Sequence, residues 1–388
     1  MTSIDIRDDL QAKFLALYGY EPAGEWSAPG RVNLIGEHTD YNLGFVLPFA
    51  INRRTFVALG LREDRVIRVA SSFSDEVVEI PLAELSPGAL HGWSAYPLGV
   101  AWALSGHGAD LSAVPGVDIF IESDVPVGAG LSSSAAIESA VAIALNDVWR
   151  LTLSRPVLAQ VGQRAENEAV GAPTGIMDQT ASLLGQKDCA VFLDCRSLDS
   201  EIVDLGLEAA GLVVLIIDTG VNHQHATGGY AERRASCELG ARMLGAQSLR
   251  DVTVADLPRA REILDDVTFR RVRHVVTENQ RVLDTVEVLR DLGPAGIGDL
   301  LDASHRSMRD DFEISVRELD LAVETAQANG AIGARMTGGG FGGAAIALIR
   351  SDDLSRLQVA IDGAFAEHGF GQPDTFVVTA AQGASREN

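Results

Sequence analysis

The chain predicts a two-domain protein of mixed helices and strands, and three observations carry that reading. Its 388 residues, 46% of them apolar, can bury a large core and suit two domains better than one. Short strand-like apolar runs and segments of helical spacing both recur along its length. At Val125 to Ser139, VPVGAGLSSSAAIES, a strand end, a glycine loop and a helix start follow one another directly.

Composition excludes several classes. A formal charge of −23 argues against a surface that gathers nucleic acid or anionic membrane, since either needs a basic face; a nucleotide therefore has to be held locally, by loop amides and a cation. Cys189, Cys195 and Cys237 have no metal-type spacing and make no disulfide framework, which points to packing roles in a reducing cytoplasm. The N-terminal MTSIDIRDDLQAKF has no apolar core of signal length, and no apolar run approaches the roughly eighteen residues of a membrane span. No internal repeat appears, and nothing marks an obligate protein partner.

Taken in order, Asp8 to Tyr18 predicts a helix with Leu10, Phe14 and Tyr18 on one face. Ala28 to Ile51, APGRVNLIGEHTDYNLGFVLPFAI, sets glycines and a dense polar group ahead of a strand-like run. Residue types alone leave two readings of it open. One is a hairpin whose polar turn faces water. The other is a binding segment: Glu37, His38 and Asp40 offer several acceptors and a switchable donor, with the Arg31 guanidinium upstream, a set suited to sugar hydroxyls. Thr55 to Arg62 and Val66 to Ala70 read as strands, the second followed by Ser71 and Ser72.

Val117, Ile119 and Ile121 share a strand face ahead of the glycine loop, and Ile137, Val141, Ala144 and Val148 recur at helical spacing behind it. Gly128 and Gly130 allow a tight turn, and Ser132, Ser133 and Ser134 follow as N-cap and first-turn residues. The unpaired N–H groups and positive dipole end of that helix then face the loop and favour an anion. The Walker pattern fails, because neither Lys13 nor Lys187 follows a glycine loop, and the dinucleotide fingerprint fails because Ser133 replaces its third glycine. What remains is P-x-G-x-G-L-S-S-S-A, in which three hydroxyls stand in for the Walker lysine and one can hold magnesium.

Ser154 and Pro156 start a helix through QRAENEAV that carries Glu166; Gly171, Pro173 and Gly175 break it. Ile176 to Leu184 begins another, with Asp178 near its N-terminus, a placement the helix dipole alone favours. Ala190 to Leu193 and Ile202 to Leu205 are strand-like, and the small-residue connection Gly206 to Gly211 marks a boundary between domains at 1–207 and 208–388. Leu212 to Asp218 predicts a strand covered on both faces. His223 and His225 lack further ligands for a metal. Phe269 to Leu289 predicts a long amphipathic helix, with Arg270, Arg271, Arg273 and His274 as a solvated face. Ser315 and Glu318 read as a capping box, and Asn329 with Gly330 as the helix end. Met336 to Ile349, MTGGGFGGAAIALI, is a second glycine loop running into a strand, which close backbone packing explains equally well.

Together these stretches carry a resemblance. P-x-G-x-G-L-S-S-S-A resembles the ATP loop of the GHMP small-molecule kinases, and GRVNLIGEHTDY, Gly30 to Tyr41, is similar to the galactokinase signature. GIMDQ at Gly175 to Gln179 and SHRSMRDDFEIS at Ser304 to Ser315 also resemble that family, with Phe312 where a tyrosine is frequent. The resemblance implies an α+β fold, the two-lobed GHMP kinase fold, with an N-terminal mixed-sheet domain with helices, a C-terminal ferredoxin-like domain, and the site at their junction. It implies Asp178 and Arg31 as the catalytic pair, Asp178 as general base for the sugar's anomeric hydroxyl and Arg31 stabilising charge near the reacting phosphoryl group. It implies a sugar pocket of Glu37, His38, Thr39, Asp40, Gly175 and Tyr230. ATP would be bound by Gly128, Ala129, Gly130, Leu131, Ser132, Ser133 and Ser134, with Ser71 as a further contact, and Mg2+ by Ser134 and Glu166. The second glycine loop would shape the wall between the lobes.

The implied activity is magnesium-dependent transfer of the ATP γ-phosphoryl group to O1 of α-D-galactose, giving galactose 1-phosphate and ADP in galactose metabolism. Two alternatives stand beside it: a kinase for a related sugar such as N-acetylgalactosamine or arabinose, and a sensor that binds galactose and ATP without useful turnover. One galactokinase-like regulator lacks a Ser-Ala pair in its loop, whereas Ser134 and Ala135 are present here.

Overall fold

A computed structural model describes residues 3–222 and 226–387, so His223 and His225 lie outside the described residues. The apolar runs assemble into sheets of six, four and three strands. In the first, β1 (Gly24–Asn33) pairs antiparallel with β3 (Pro48–Leu61), and β3 with β6 (Val117–Ser123). β6 runs parallel to β4 (Val66–Ser71), which forms a hairpin with β5 (Ser74–Pro81). The C-terminal β13 (Ser385–Arg386) adds to the outer edge of β1.

Alternating side chains give this sheet two apolar faces. Val57, Leu59, Ile67, Val69, Ile119 and Ile121 pack with α2 (Ala95–Leu104), α3 (Ser133–Val148) and α4 (Arg155–Arg164). Phe56, Ala58, Ala70 and Phe120 face the other way and are covered by α1 (Ser3–Tyr18), whose Leu10 and Phe14 are fully buried. β2 (Phe45–Val46), β7 (Cys189–Asp194) and β8 (Ser200–Asp204) make the three-stranded sheet, and α5 (Met177–Leu184) precedes β7.

The second lobe is antiparallel, ordered β10-β11-β9-β12, with β9 at Leu212–Asn222, β10 at Gly333–Thr337, β11 at Gly342–Arg350 and β12 at Asp374–Val378. Between β9 and β10 run α6 (Ala226–Leu244), α7 (Leu257–Ile263), α8 (Asp266–Asp291), α9 (Gly298–Ser307) and α10 (Arg317–Ala328). α11 (Leu354–His368) joins β11 to β12, which completes the β-α-β-β-α-β succession of a ferredoxin-like lobe. Leu215 and Ile217 of β9 face these helices, whereas Val214 and Ile216 join Val32, Phe49 and Leu131 of the first lobe in a shared cluster. β9 is therefore covered on both faces, as its unbroken apolar run requires.

Two local expectations are corrected. Arg271 and His274 are buried on α8, and Arg270 and Arg273 bond Glu313 and Asp311, so this face is packed against protein rather than solvated. Ser315 makes no capping box: its Oγ donates to Asp320 Oδ1 at 2.6 Å and α10 starts after Val316, because a charged acceptor outcompetes a backbone partner for the hydroxyl. Cys195 and Cys237 are buried, and the three cysteines are free thiols. Among the described residues no helix is long and apolar enough to cross a membrane.

Candidate active site

The site is built where β1 leaves regular pairing. Its register with β3 shifts between Pro29 and Arg31, a bulge that re-aims the Arg31 side chain. Gly30 at the bulge lies against the glycine loop: a Cβ there would stand 2.6 Å from the Leu131 carbonyl, which accepts the Arg31 amide at 3.0 Å. The Arg31 guanidinium is spent entirely on the site. Nε donates to Asp178 Oδ1 at 2.7 Å, Nη2 to Asp178 Oδ2 at 2.9 Å, and Nη1 to the Gly130 carbonyl at 2.5 Å.

Asp178 comes from the first turn of α5, and its Oδ2 also accepts the Ser132 hydroxyl. Ser132 occupies the N-cap position of α3 with a left-handed φ of 56°, yet its side chain makes no cap bond. The stronger, charged acceptor takes it. Gly128 and Gly130, at φ 85° and 69°, supply the positive-φ turn before it. The second glycine loop closes the opposite wall, and a Cβ on Gly338 would lie 3.1 Å from the Gly130 Cα, so a side chain on either glycine would push the two loops apart by a few tenths of an ångström.

Glu166 sits where α4 widens into a π turn, Ala165–Val170. Its Oε1 accepts Ser134 Oγ at 3.1 Å, and Oε2 accepts Thr174 Oγ1 at 2.8 Å and Gln179 Nε2 at 2.9 Å. Burial and then the negative charge of Asp178 push this carboxyl above its ordinary range.

The polar turn is buried over residues 36–39, which removes the water-facing hairpin reading: Glu37 is 2% exposed and Thr39 fully buried. Glu37 Oε1 accepts the Gly338 amide at 2.8 Å and so ties this turn to the second glycine loop. His38 also takes a left-handed φ, 61°. Its Nε2 donates to the Gly339 carbonyl at 3.1 Å, leaving Nδ1 to accept Tyr41 Oη at 2.8 Å. Burial pushes this imidazole down to about 3, so it is neutral and not the switchable donor that residue type alone offers. Asp40 is the contrasting case. Burial and the nearby Asp178 push its carboxyl up to about 6, and among the described residues only the Tyr41 amide donates to it, at 2.8 Å.

These groups surround one cavity of about 300 Å³. Its walls include Arg31, Glu37, His38, Asp40, Gly128, Gly130, Leu131, Ser132, Ser133, Ser134, Glu166, Gly175, Asp178 and Tyr230. Three expected residues are not among its lining. Thr39 turns its hydroxyl to the Gly36 and Phe45 carbonyls, at 2.8 and 2.6 Å, and braces the turn from behind. Ala129 is buried beneath the loop, and Ser71 lines a separate depression beside Lys13 and Phe120, its hydroxyl without a partner among the described residues.

Sequence reading gave no site role to Thr174, Pro126 and Met177, which also line the cavity, or to the buried Glu138, whose Oε2 accepts Gln179 Nε2 at 2.8 Å. A signal for Glu138 existed: it is a lone acid on the apolar face of α3, one turn beyond Ser134. A Cβ at Gly175 would lie 1.8 Å from Asp40 Oδ2, so a side chain there forces the Asp40 carboxylate to move. Gly175→Ala is expected to displace Asp40 and lower kcat/KM for the sugar about a hundredfold, with KM for the nucleotide unchanged, in steady-state kinetics. Equal kinetics in both proteins would show that Asp40 moves aside without consequence.

Family models match the chain in three places: the galactokinase galactose-binding signature over residues 12–61, the GHMP kinases N terminal domain over 95–186, and GHMP kinases C terminal over 278–367. A galactokinase of Streptomyces coelicolor is 50% identical over 377 residues, covering 96% of this chain and 97% of that protein. A galactokinase of Pasteurella multocida is 42% identical, with 97% and 98% covered. The structure of Lactococcus lactis galactokinase complexed with galactose is 33% identical at a TM-score of 0.93, covering 98% of this chain and all of that one. Mevalonate kinase of Methanococcus jannaschii, 19% identical at a TM-score of 0.65, shares the fold over 92% of this chain and 98% of that one.

Proposed function

The chain belongs to the galactokinase family of GHMP kinases, and from that premise we propose how its cavity phosphorylates galactose with ATP. The γ-phosphoryl group goes to O1 of α-D-galactose, and the single observation that supports this assignment is the two-point bond between Arg31 and Asp178. That bond sits at the mouth of the glycine loop and in the same cavity as the sparsely bonded Asp40 carboxyl.

Phosphoryl transfer demands little covalent work from a protein, so placement and charge carry it. The loop amides and the N-terminus of α3 hold the phosphates. Asp40, Glu37, His38, Gly175 and Tyr230 hold the sugar so that its anomeric hydroxyl meets Asp178. Asp178 orients that hydroxyl and takes its proton as the new O–P bond forms, and Arg31 offsets charge on the transferring group. ADP then leaves with the former bridging oxygen.

Ser134 and Glu166 fit a resident Mg2+. Their oxygens lie 3.1 Å apart, and a cation there relieves a carboxyl that burial has made costly to ionise. The described residues include no cluster of three or more metal-ligating side chains, which suits an ion that keeps waters and phosphate oxygens as its remaining ligands. When bound, the ion supplies charge neutralisation on the phosphates. Ser134→Ala and Glu166→Gln are each expected to raise the magnesium concentration for half-maximal activity about tenfold, with KM for galactose unchanged. Unaltered magnesium titrations in both variants would refute the assignment.

We place the protein in the cytoplasm and divide its lobes near residues 207 and 208, with Ser385–Arg386 returning to the first. A coupled ADP-release assay over galactose, glucose, N-acetylgalactosamine and arabinose tests the reading. Galactose-dependent ADP release well above the others supports it. Preference for another sugar, or binding without release, would replace it with one of the two alternatives.

A further inference from the structure

The turn that carries Glu37 to Asp40 is gripped at both ends by one helix of the other lobe. Glu278 on α8 is fully buried; its Oε1 accepts the Gly36 amide at 3.0 Å and Ser304 Oγ at 2.6 Å, and its Oε2 pairs with Arg281 Nε at 2.7 Å. Burial alone would raise this carboxyl, but the Arg281 guanidinium first, then His274, Arg335 and the Ser304 hydroxyl, outweigh it and hold the carboxyl at about 2. The next residue, Asn279, offers Oδ1 to the Phe45 amide at 2.9 Å. The fit at that end is close, since a Cβ on Gly44 would lie 2.2 Å from the same oxygen. At the other end Gly36 takes a left-handed φ of 105°, which glycine alone adopts at no cost.

Gly36 and Phe45 bracket the whole sugar-facing turn. We infer that Glu278 and Asn279 are positioning residues for galactose: they line none of the cavity, and from outside the turn they hold the same two residues, Gly36 and Phe45, that the Thr39 hydroxyl ties from within, and so help to place Asp40. The inference rests on the galactokinase reading above. It also makes the galactose site depend on the second lobe, although the turn itself belongs to the first. A backbone amide buried without its acceptor relaxes toward another partner, and the turn shifts with it.

Asn279→Ala removes the acceptor at one end, and Asn279→Asp keeps it. In steady-state kinetics Asn279→Ala is expected to raise KM for galactose about tenfold, with KM for ATP and kcat within about twofold of the parent, and Asn279→Asp to recover most of the loss. Ser304→Ala, which removes one donor to Glu278 without altering α8, should shift KM for galactose in the same direction. A fall in melting temperature with both KM values unmoved would overturn the inference and leave the grip as a structural brace. So would a parallel rise in both KM values, or equal losses in the two Asn279 variants. Should Asn279→Ala not fold, the Ser304→Ala kinetics decide by the same criterion. Failure of the unmodified chain to release ADP with galactose would instead sink the underlying galactokinase reading.

Discussion

Asp178→Asn is expected to lower kcat about a thousandfold while leaving folding and ATP binding near those of the parent. The amide keeps the size and one acceptor of the carboxyl, so the packing of α5 is little changed, but it cannot take the anomeric proton. It also turns an N–H toward the Arg31 guanidinium, which now donates to both carboxylate oxygens. Arg31→Met should lower kcat too, because it removes positive charge beside the transferring group and frees both Asp178 and the Gly130 carbonyl from the same partner. Since each residue holds the other in place, the double variant should be little worse than the worse single one. Losses that simply multiply in a cycle on kcat, with thermal melts confirming folded protein, would reduce Asp178 to a lone orienting group.

Asp40→Ala is expected to lower kcat/KM for galactose by about two orders of magnitude, with KM for ATP nearly constant. The same geometry should favour galactose over glucose by several orders of magnitude, because an epimer that misdirects one hydroxyl leaves a buried acceptor unpaired. A pH effect accompanies it. Burial and Asp178 hold the Asp40 carboxyl up to about 6, so it is ionised above that value and neutral below it. Sugar hydroxyls donate best to the ionised form, so KM for galactose should be flat above pH 6 and rise about tenfold per unit below it. Asp40→Asn should abolish that slope. A slope that survives the substitution would belong to another group.

Much of this site could be read in the chain because its chemistry is concentrated in short segments. Arg31 and Asp178 lie 147 residues apart, yet each sits in a local pattern, one after a glycine and one after a helix break, and they meet in space. The unbroken apolar run in β9 indicates burial on both faces, and β9 has it. What periodicity could not reveal is a second covering on a face that looks polar. Arg271, His274 and Glu278 have the spacing of a solvated stripe, but the turn at residues 36–45 and the segment around Asp311 lie over them and take hydrogen bonds from or give them to all three. Likewise Ser132 and Ser315 have the residue type of helix caps, and both hydroxyls go to aspartates brought near only by the tertiary fold. Thr39 sits within the sugar segment by sequence, but the tightness of the turn points its hydroxyl inward.

The most direct measurement is the position of the new phosphate, read by phosphorus NMR after the purified chain is incubated with ATP, magnesium and galactose. The account predicts one sugar phosphate, the α-anomer esterified at O1, formed in step with ADP and about a thousandfold more slowly with Asp178→Asn, because the proposed mechanism has that carboxyl meet the anomeric hydroxyl. Phosphate on another hydroxyl, or ADP with free phosphate and unchanged sugar, would contradict it.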